Sequence, residues 1–198
     1  MSLLDPNRLF PVDEKTRSVA KSIYDGVCNL PIISPHGHCD PKWFAKNEKF
    51  PDPSQLFVTP DHYIFRMLAS QGYSLDELGI NSSRKNTNRP RPRDIWKIFS
   101  DNYYLFRGTP SEIWLNYSFE KVFGISKPLN SETGEFYFDF LQDRLNEPDF
   151  LPRALFDRFN IEILATTDSA ISNLEYHDEI NDCVWDGKII PTYRPDNV

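Results

Sequence analysis

Three short apolar runs, each turning polar at its C-terminal end, constrain this chain more than any other feature. They are Leu30-Pro31-Ile32-Ile33-Ser34-Pro35-His36-Gly37-His38, Ile161-Glu162-Ile163-Leu164-Ala165-Thr166-Thr167-Asp168 and Lys188-Ile189-Ile190-Pro191-Thr192-Tyr193-Arg194-Pro195-Asp196. A short, nearly unbroken apolar run fits a buried strand of a parallel sheet. The polar ends then fall at the C-terminal tips of the strands, where parallel α/β proteins carry their chemistry. Pro31 can stand at the entry of the first strand. Pro35 ends the regular ladder before the histidines, because proline donates no ladder hydrogen bond.

Helical signals fill the rest of the chain. A first helix is expected over residues 13–29, where Val19, Ala20, Ile23, Tyr24 and Val27 recur at helical spacing. Thr59-Pro60-Asp61 reads as a helix start, with Thr59 as cap and Pro60 in the first turn, and Gly72 as the stop. In the helix expected over residues 94–106, Trp96, Phe99, Tyr103 and Phe106 form a stripe that reads as a core face. Ser111 is expected to cap a helix running to Phe123 and stopped by Gly124. Further helices are expected over 133–145, 151–159 and 174–181, and residues 81–93 read as a polar, proline-interrupted loop.

The order is strand, helical insertion, strand, helix, strand. That points to an α/β fold with parallel strands. The architecture expected is a partial (β/α)8, TIM-like barrel: its first three strands, with a large helical insertion after strand 1. Residues 1–39 would hold the first helix and strand, 40–159 the insertion, and 160–198 the second and third strands, the remainder of the barrel being absent. Three strands do not close a barrel, so the outer ones would expose unpaired edges.

A net charge of -7 over 198 residues argues against a nucleic-acid binder. The basic residues Arg84, Lys85, Arg89, Arg91 and Arg93 read instead as a solvated loop. Cys28, Cys39 and Cys183 form no CxxC pair, and a reduced cytoplasm fits them best. With no signal-peptide pattern at the N-terminus and no apolar run of about 18 residues, a soluble protein without membrane contact is expected.

Four places can carry chemistry. In an extended segment His36 and His38 point the same way, so both imidazoles can converge on one divalent metal; the alternative is a hydrogen-bonded pair in a loop. On a helix, His62, Tyr63 and Arg66 can present an acid–base group, a phenol and a guanidinium together, or merely a helix start with a surface ion pair. Arg194 is a candidate anion clamp and Asp168 a candidate polar ligand, though either can equally cap a following turn.

These motifs, in this order, closely resemble the uronate isomerases of the amidohydrolase superfamily: the run ending His36-Gly37-His38, then Asp61-His62-Tyr63, Thr166-Thr167-Asp168 and Tyr193-Arg194-Pro195-Asp196. Arg107-Gly108-Thr109-Pro110-Ser111, Phe123-Gly124-Ile125 and Leu174-Glu175-Tyr176-His177 extend the likeness from about Arg8 to the last residue. The resemblance implies a distorted (β/α)8 barrel with a divalent metal, usually zinc, and isomerisation of D-glucuronate to D-fructuronate and D-galacturonate to D-tagaturonate in hexuronate catabolism. It implies metal ligation by His36 and His38, and a substrate site lined by His62, Tyr63 and Arg194. Tyr63 or His62 would assist proton transfer, and Arg194 would hold the carboxylate or a hydroxyl.

The family's later-strand metal ligand and last-strand aspartate are absent, and Asp168 does not replace the latter. These 198 residues alone are therefore expected to bind metal weakly and not to turn over substrate. The expected partner is a small sugar acid, a hexuronate, with a homo-oligomer as a further expectation. Two alternatives stand beside this reading: an inactive truncated remnant or interaction module, and a metal-dependent hydrolase of the same superfamily.

Overall fold

Proline in the first turn opens many of this chain's helices, often behind a capping side chain. The computed structural model describes residues 2–80 and 89–195. Its helices are α1 (Glu14–Asp25), α2 (Pro41–Lys46), α3 (Pro53–Phe57), α4 (His62–Ala69), α5 (Pro92–Asp101), α6 (Pro110–Tyr117), α7 (Gly134–Leu145), α8 (Pro152–Arg158) and α9 (Glu175–Asn181). Its strands are β1 (Ile32–Ser34), β2 (Ile161–Ser169) and β3 (Lys188–Arg194). At α2, α3 and α6 a first-turn proline gives up a donor that has no helical partner, while the side chains of Asp40, Asp52 and Thr109 accept from the N–H groups of Lys42, Gln55 and Glu112.

Two helix starts differ from the expected ones. The cap of α4 is Asp61, whose carboxylate accepts from the N–H of Tyr63 at 2.8 Å and of Ile64 at 3.3 Å. Pro60 lies outside the helix, and the Thr59 hydroxyl reaches the Leu78 carbonyl instead. The cap of α6 is Thr109, which places Pro110 first and Ser111 inside the helix. The helix expected over 94–106 starts at Pro92, ends at Asp101, and continues as a 3-10 turn over Tyr103–Phe106. Arg84, Lys85 and Asp196, and positions 81–88 of the expected loop, lie outside the described residues.

The chain forms two compact units, Met1–Leu9 with Phe50–Asn146, and Phe10–Lys49 with Glu147–Val198. The first is helical and built on aromatic rings. Trp96, Phe99, Tyr103 and Phe106 are all buried, as the expected core face requires. Phe119 and Phe138 pack edge-on against Trp96. Arg93 ties α5 to α7 through Glu135 and Asp139, and its guanidinium lies over the Phe138 ring. Arg91 pairs with Asp94 at 2.8 Å, so these two cations of the basic segment face carboxylates within the chain.

Glu120, in the π-helical turn Ser118–Val122 that extends α6, anchors the start of the chain. It accepts from the Ser2 hydroxyl at 2.8 Å and from the Leu3 N–H, and pairs with Lys121 at 2.8 Å. Lys121 first, then the Ser2 hydroxyl, hold its carboxyl down to about 2, below the ordinary 4.5. A lowered folded value means stability that is complete above the unfolded value and lost as pH falls from 4.5 to about 2. Glu120→Gln is expected to melt slightly earlier at pH 7 and to show a flatter dependence across that acid window. Parallel melting curves for the two proteins from pH 6 to pH 2 would contradict the assignment.

The second unit carries the sheet, ordered β1-β2-β3 with both pairings parallel. Ile32 aligns with Ile161, and the ladder from β2 to β3 runs from Ile163↔Lys188 to Ser169↔Arg194. Phe44, Phe156, Leu164, Ile180 and Ile189 form its buried core, bringing α2, α8 and α9 onto the sheet. Arg153 locks α8 to α2, donating to the carbonyls of Phe44 at 2.8 Å and Ala45 at 3.0 Å. β1 is not the buried strand that its apolar run suggests. Among the described residues it pairs on one side only, and Ile33 is 61% exposed. The first helix ends at Asp25, earlier than expected, and none of its side chains is buried.

Candidate functional site

Because the three strands are parallel, their C-terminal ends open on one side. The β1 ladder stops at Ser34, and the chain turns through Pro35-His36-Gly37-His38. Both imidazoles are exposed, and their Nε2 atoms lie 3.0 Å apart with the rings nearly perpendicular, at 83°. Two nitrogens bound to one tetrahedral zinc at about 2.0–2.1 Å would stand roughly 3.3 Å apart, so the pair has the donor chemistry and spacing for two ligands of one ion. Among the described residues no cluster of three or more His, Cys, Asp or Glu side chains is poised to hold a metal. The pair therefore fits a metal as part of a ligand set.

At the end of β2, side chains alternate between the faces of the sheet. Thr166 is 1% exposed; its hydroxyl donates to Asp168 Oδ2 at 2.6 Å and lies 2.9 Å from Nε2 of His177, itself 5% exposed, on α9. A hydroxyl has one proton to give. With that proton on the short bond to Asp168, His177 must carry its own on Nε2 and donate it to Thr166. Asp168 is thus built into a buried polar network with side chains of β2 and α9. Sequence reasoning placed His177 only in a short motif, because its role depends on α9 packing over β2.

Thr167 turns the other way, and its hydroxyl donates to the Gly37 carbonyl between the two histidines. At the end of β3, Arg194 is exposed beside Ser169 of β2, and its carbonyl accepts from the Ala170 N–H at 3.2 Å. His36, His38, Asp168 and Arg194 all belong to the second unit, at the strand tips.

His62 and Tyr63 belong to the first unit and open α4. Their rings lie 4.2 Å apart, and Tyr63 is 59% exposed. Arg66 is exposed one turn on. Tyr63 also walls an apolar pocket of about 310 Å³ shared with Met67, Phe106 and Trp114.

A parallel sheet with helices packed on it and polar groups collected at its strand tips defines a mixed α/β protein. Comparison with known proteins narrows this. Residues 12–198 match the family model described as glucuronate isomerase. The uronate isomerase of Brucella canis is 52% identical over 193 residues, covering 98% of this chain and 41% of the relative. That of Mesorhizobium japonicum is 48% identical over the whole chain and 42% of its own length. The crystal structure of glucuronate isomerase from Caulobacter crescentus superposes with a TM-score of 0.94 at 49% identity, over 99% of this chain and 41% of that one. The Thermotoga maritima uronate isomerase gives a TM-score of 0.82 at 28% identity, over 98% of this chain and 40% of that one. The chain belongs to the glucuronate isomerase family. It spans about two fifths of the length of these relatives.

Proposed function

We propose that this chain supplies part of the site of a uronate isomerase, converting D-glucuronate to D-fructuronate and D-galacturonate to D-tagaturonate. One observation carries the reading: the family match runs over residues 12–198, and every candidate site residue lies inside it. The three parallel strands are read as part of a (β/α)8 barrel, with residues 40–159 as an insertion after the first strand. The protein is read as a cytoplasmic enzyme of hexuronate catabolism.

A divalent metal, zinc in this reading, would be held by Nε2 of His36 and Nε2 of His38 together with ligands beyond this pair, and would polarise the oxygens at C1 and C2. The Arg194 guanidinium offers a planar fork of donors that matches the substrate carboxylate. Tyr63 and His62 are the groups assigned to proton movement. The proton on C2 leaves, an enediol forms, and a proton returns at C1; meanwhile the hydroxyl proton of O2 is lost and O1 gains one. Aldehyde becomes alcohol and alcohol becomes ketone, with no net change in oxidation state.

The test is direct. The purified native protein, supplied with zinc, is incubated with D-glucuronate and separately with D-galacturonate carrying carbon-13 at C2. A ketone signal growing at C2 is the expected result. Absence of ketose from both sugars would overturn the proposal.

A further inference from the structure

Thr167 has no part in the reaction just described, yet its hydroxyl hydrogen bonds to the backbone between the two histidines. We propose that Thr167 is a positioning residue that fixes the His36-Gly37-His38 turn for divalent-metal binding; this rests on reading the two histidines as ligands. The case begins where the ladder ends. The β1 ladder ends at Ser34, and among the described residues no strand pairs with the turn beyond it; an unpaired turn would let the two imidazoles drift apart. Two contacts with β2 replace the ladder. The Thr167 hydroxyl donates to the Gly37 carbonyl. The Gly37 backbone lies so close to β2 that a Cβ there would stand 2.9 Å from the Ala165 carbonyl oxygen and 3.8 Å from a Leu164 methyl. Glycine therefore permits the approach, and Thr167 fastens it.

β2 itself is rigidly placed, since Thr167 pairs in register with Thr192 of β3. The neighbouring hydroxyl is engaged elsewhere, because Thr166 faces Asp168 and His177. The Ser34 hydroxyl donates to the His36 carbonyl at 3.3 Å and ties the start of the turn to the last residue of β1. Thr167 supplies the side-chain anchor from a neighbouring strand.

The experiment measures zinc affinity of the full chain by competition with a chromophoric chelator, for wild type, T167V, T167S and the double variant H36A/H38A. Valine keeps the shape of threonine and removes the donor, whereas serine keeps the donor. T167V is expected to bind zinc about 10–100-fold more weakly, the usual effect of losing a group that orients a metal ligand. T167S should keep wild-type affinity, and circular dichroism should show all four proteins folded. Equal affinity in T167V and wild type would overturn the proposal, as would an equal loss in T167S, since serine retains the hydroxyl. Undiminished binding in H36A/H38A would instead remove the metal assignment beneath it, and the proposal with it. The two failures are thus told apart.

Discussion

Replacing Trp96 with alanine is expected to destabilise the first unit by about 3–5 kcal/mol, the range for deleting a fully buried large aromatic. Trp96 is essentially unexposed and meets Phe99, Phe119 and Phe138 at centroid distances of 5.2, 6.5 and 6.2 Å. Its indole N–H donates to the Gly134 carbonyl at 2.9 Å, pinning the first residue of α7 to α5. The surroundings cannot close over the hole cheaply. Gly134 already lies against Ser100, where an added Cβ would come within 2.3 Å of the hydroxyl. Trp96→Phe keeps most of the ring and gives up the hydrogen bond, so about 1–2 kcal/mol is expected. Urea unfolding followed by circular dichroism reads both. A loss below about 1 kcal/mol for the alanine variant would show that Trp96 is not a keystone of this packing.

Thr166→Val is expected to cost about 2–4 kcal/mol although it preserves shape and volume, because it strands two buried polar groups at once. Asp168 Oδ2 loses a donor at 2.6 Å, and the Nε2–H of His177 loses its acceptor at 2.9 Å. Neither is compensated by water where both side chains are nearly enclosed; the 3.7 Å gap between His177 Nε2 and Asp168 Oδ2 is too long for a direct bond. Thr166→Ser keeps the hydroxyl and loses a methyl, for an expected cost of about 1 kcal/mol. The ordering serine above valine is the decisive readout, measured as urea midpoints. Valine equal to or more stable than serine would mean that the network contributes nothing net to folding.

Much of this architecture was legible in the residues. The three apolar runs became the three strands, parallel as their composition required, and Pro35 marks the end of the first ladder. Gly124, at φ +80°, stops the turn that follows α6 because it tolerates a left-handed backbone. The helix caps were harder. Thr59-Pro60-Asp61 and Thr109-Pro110-Ser111 each offer two capping side chains around a proline, and opposite choices won: the later residue at Asp61, the earlier at Thr109. Local chemistry permits both, and packing decides.

Exposure was less legible still. An apolar run announces a strand but not how many neighbours it has, so the open side of β1 could not be read from Ile32 and Ile33. Within the site, the convergence of His36 and His38 followed from two-residue spacing. Nothing in the string Thr166-Thr167 says that the first hydroxyl faces a helix histidine and the second a glycine carbonyl. That distinction exists only once the strand has a register and two faces.

The pairing of β1 with β2 also sets an order of assembly. Ile32 meets Ile161, so this contact closes a loop of well over a hundred residues, with a chain-entropy cost on the order of 4 kcal/mol from the logarithmic dependence on loop length. The β2–β3 pairing closes a far shorter loop through α9. On this account β2, α9 and β3 associate early and β1 docks last. The two histidines are then the final groups to reach their places, and in a nascent chain the turn that carries them has no β2 to pack on until residue 161 and beyond have been made.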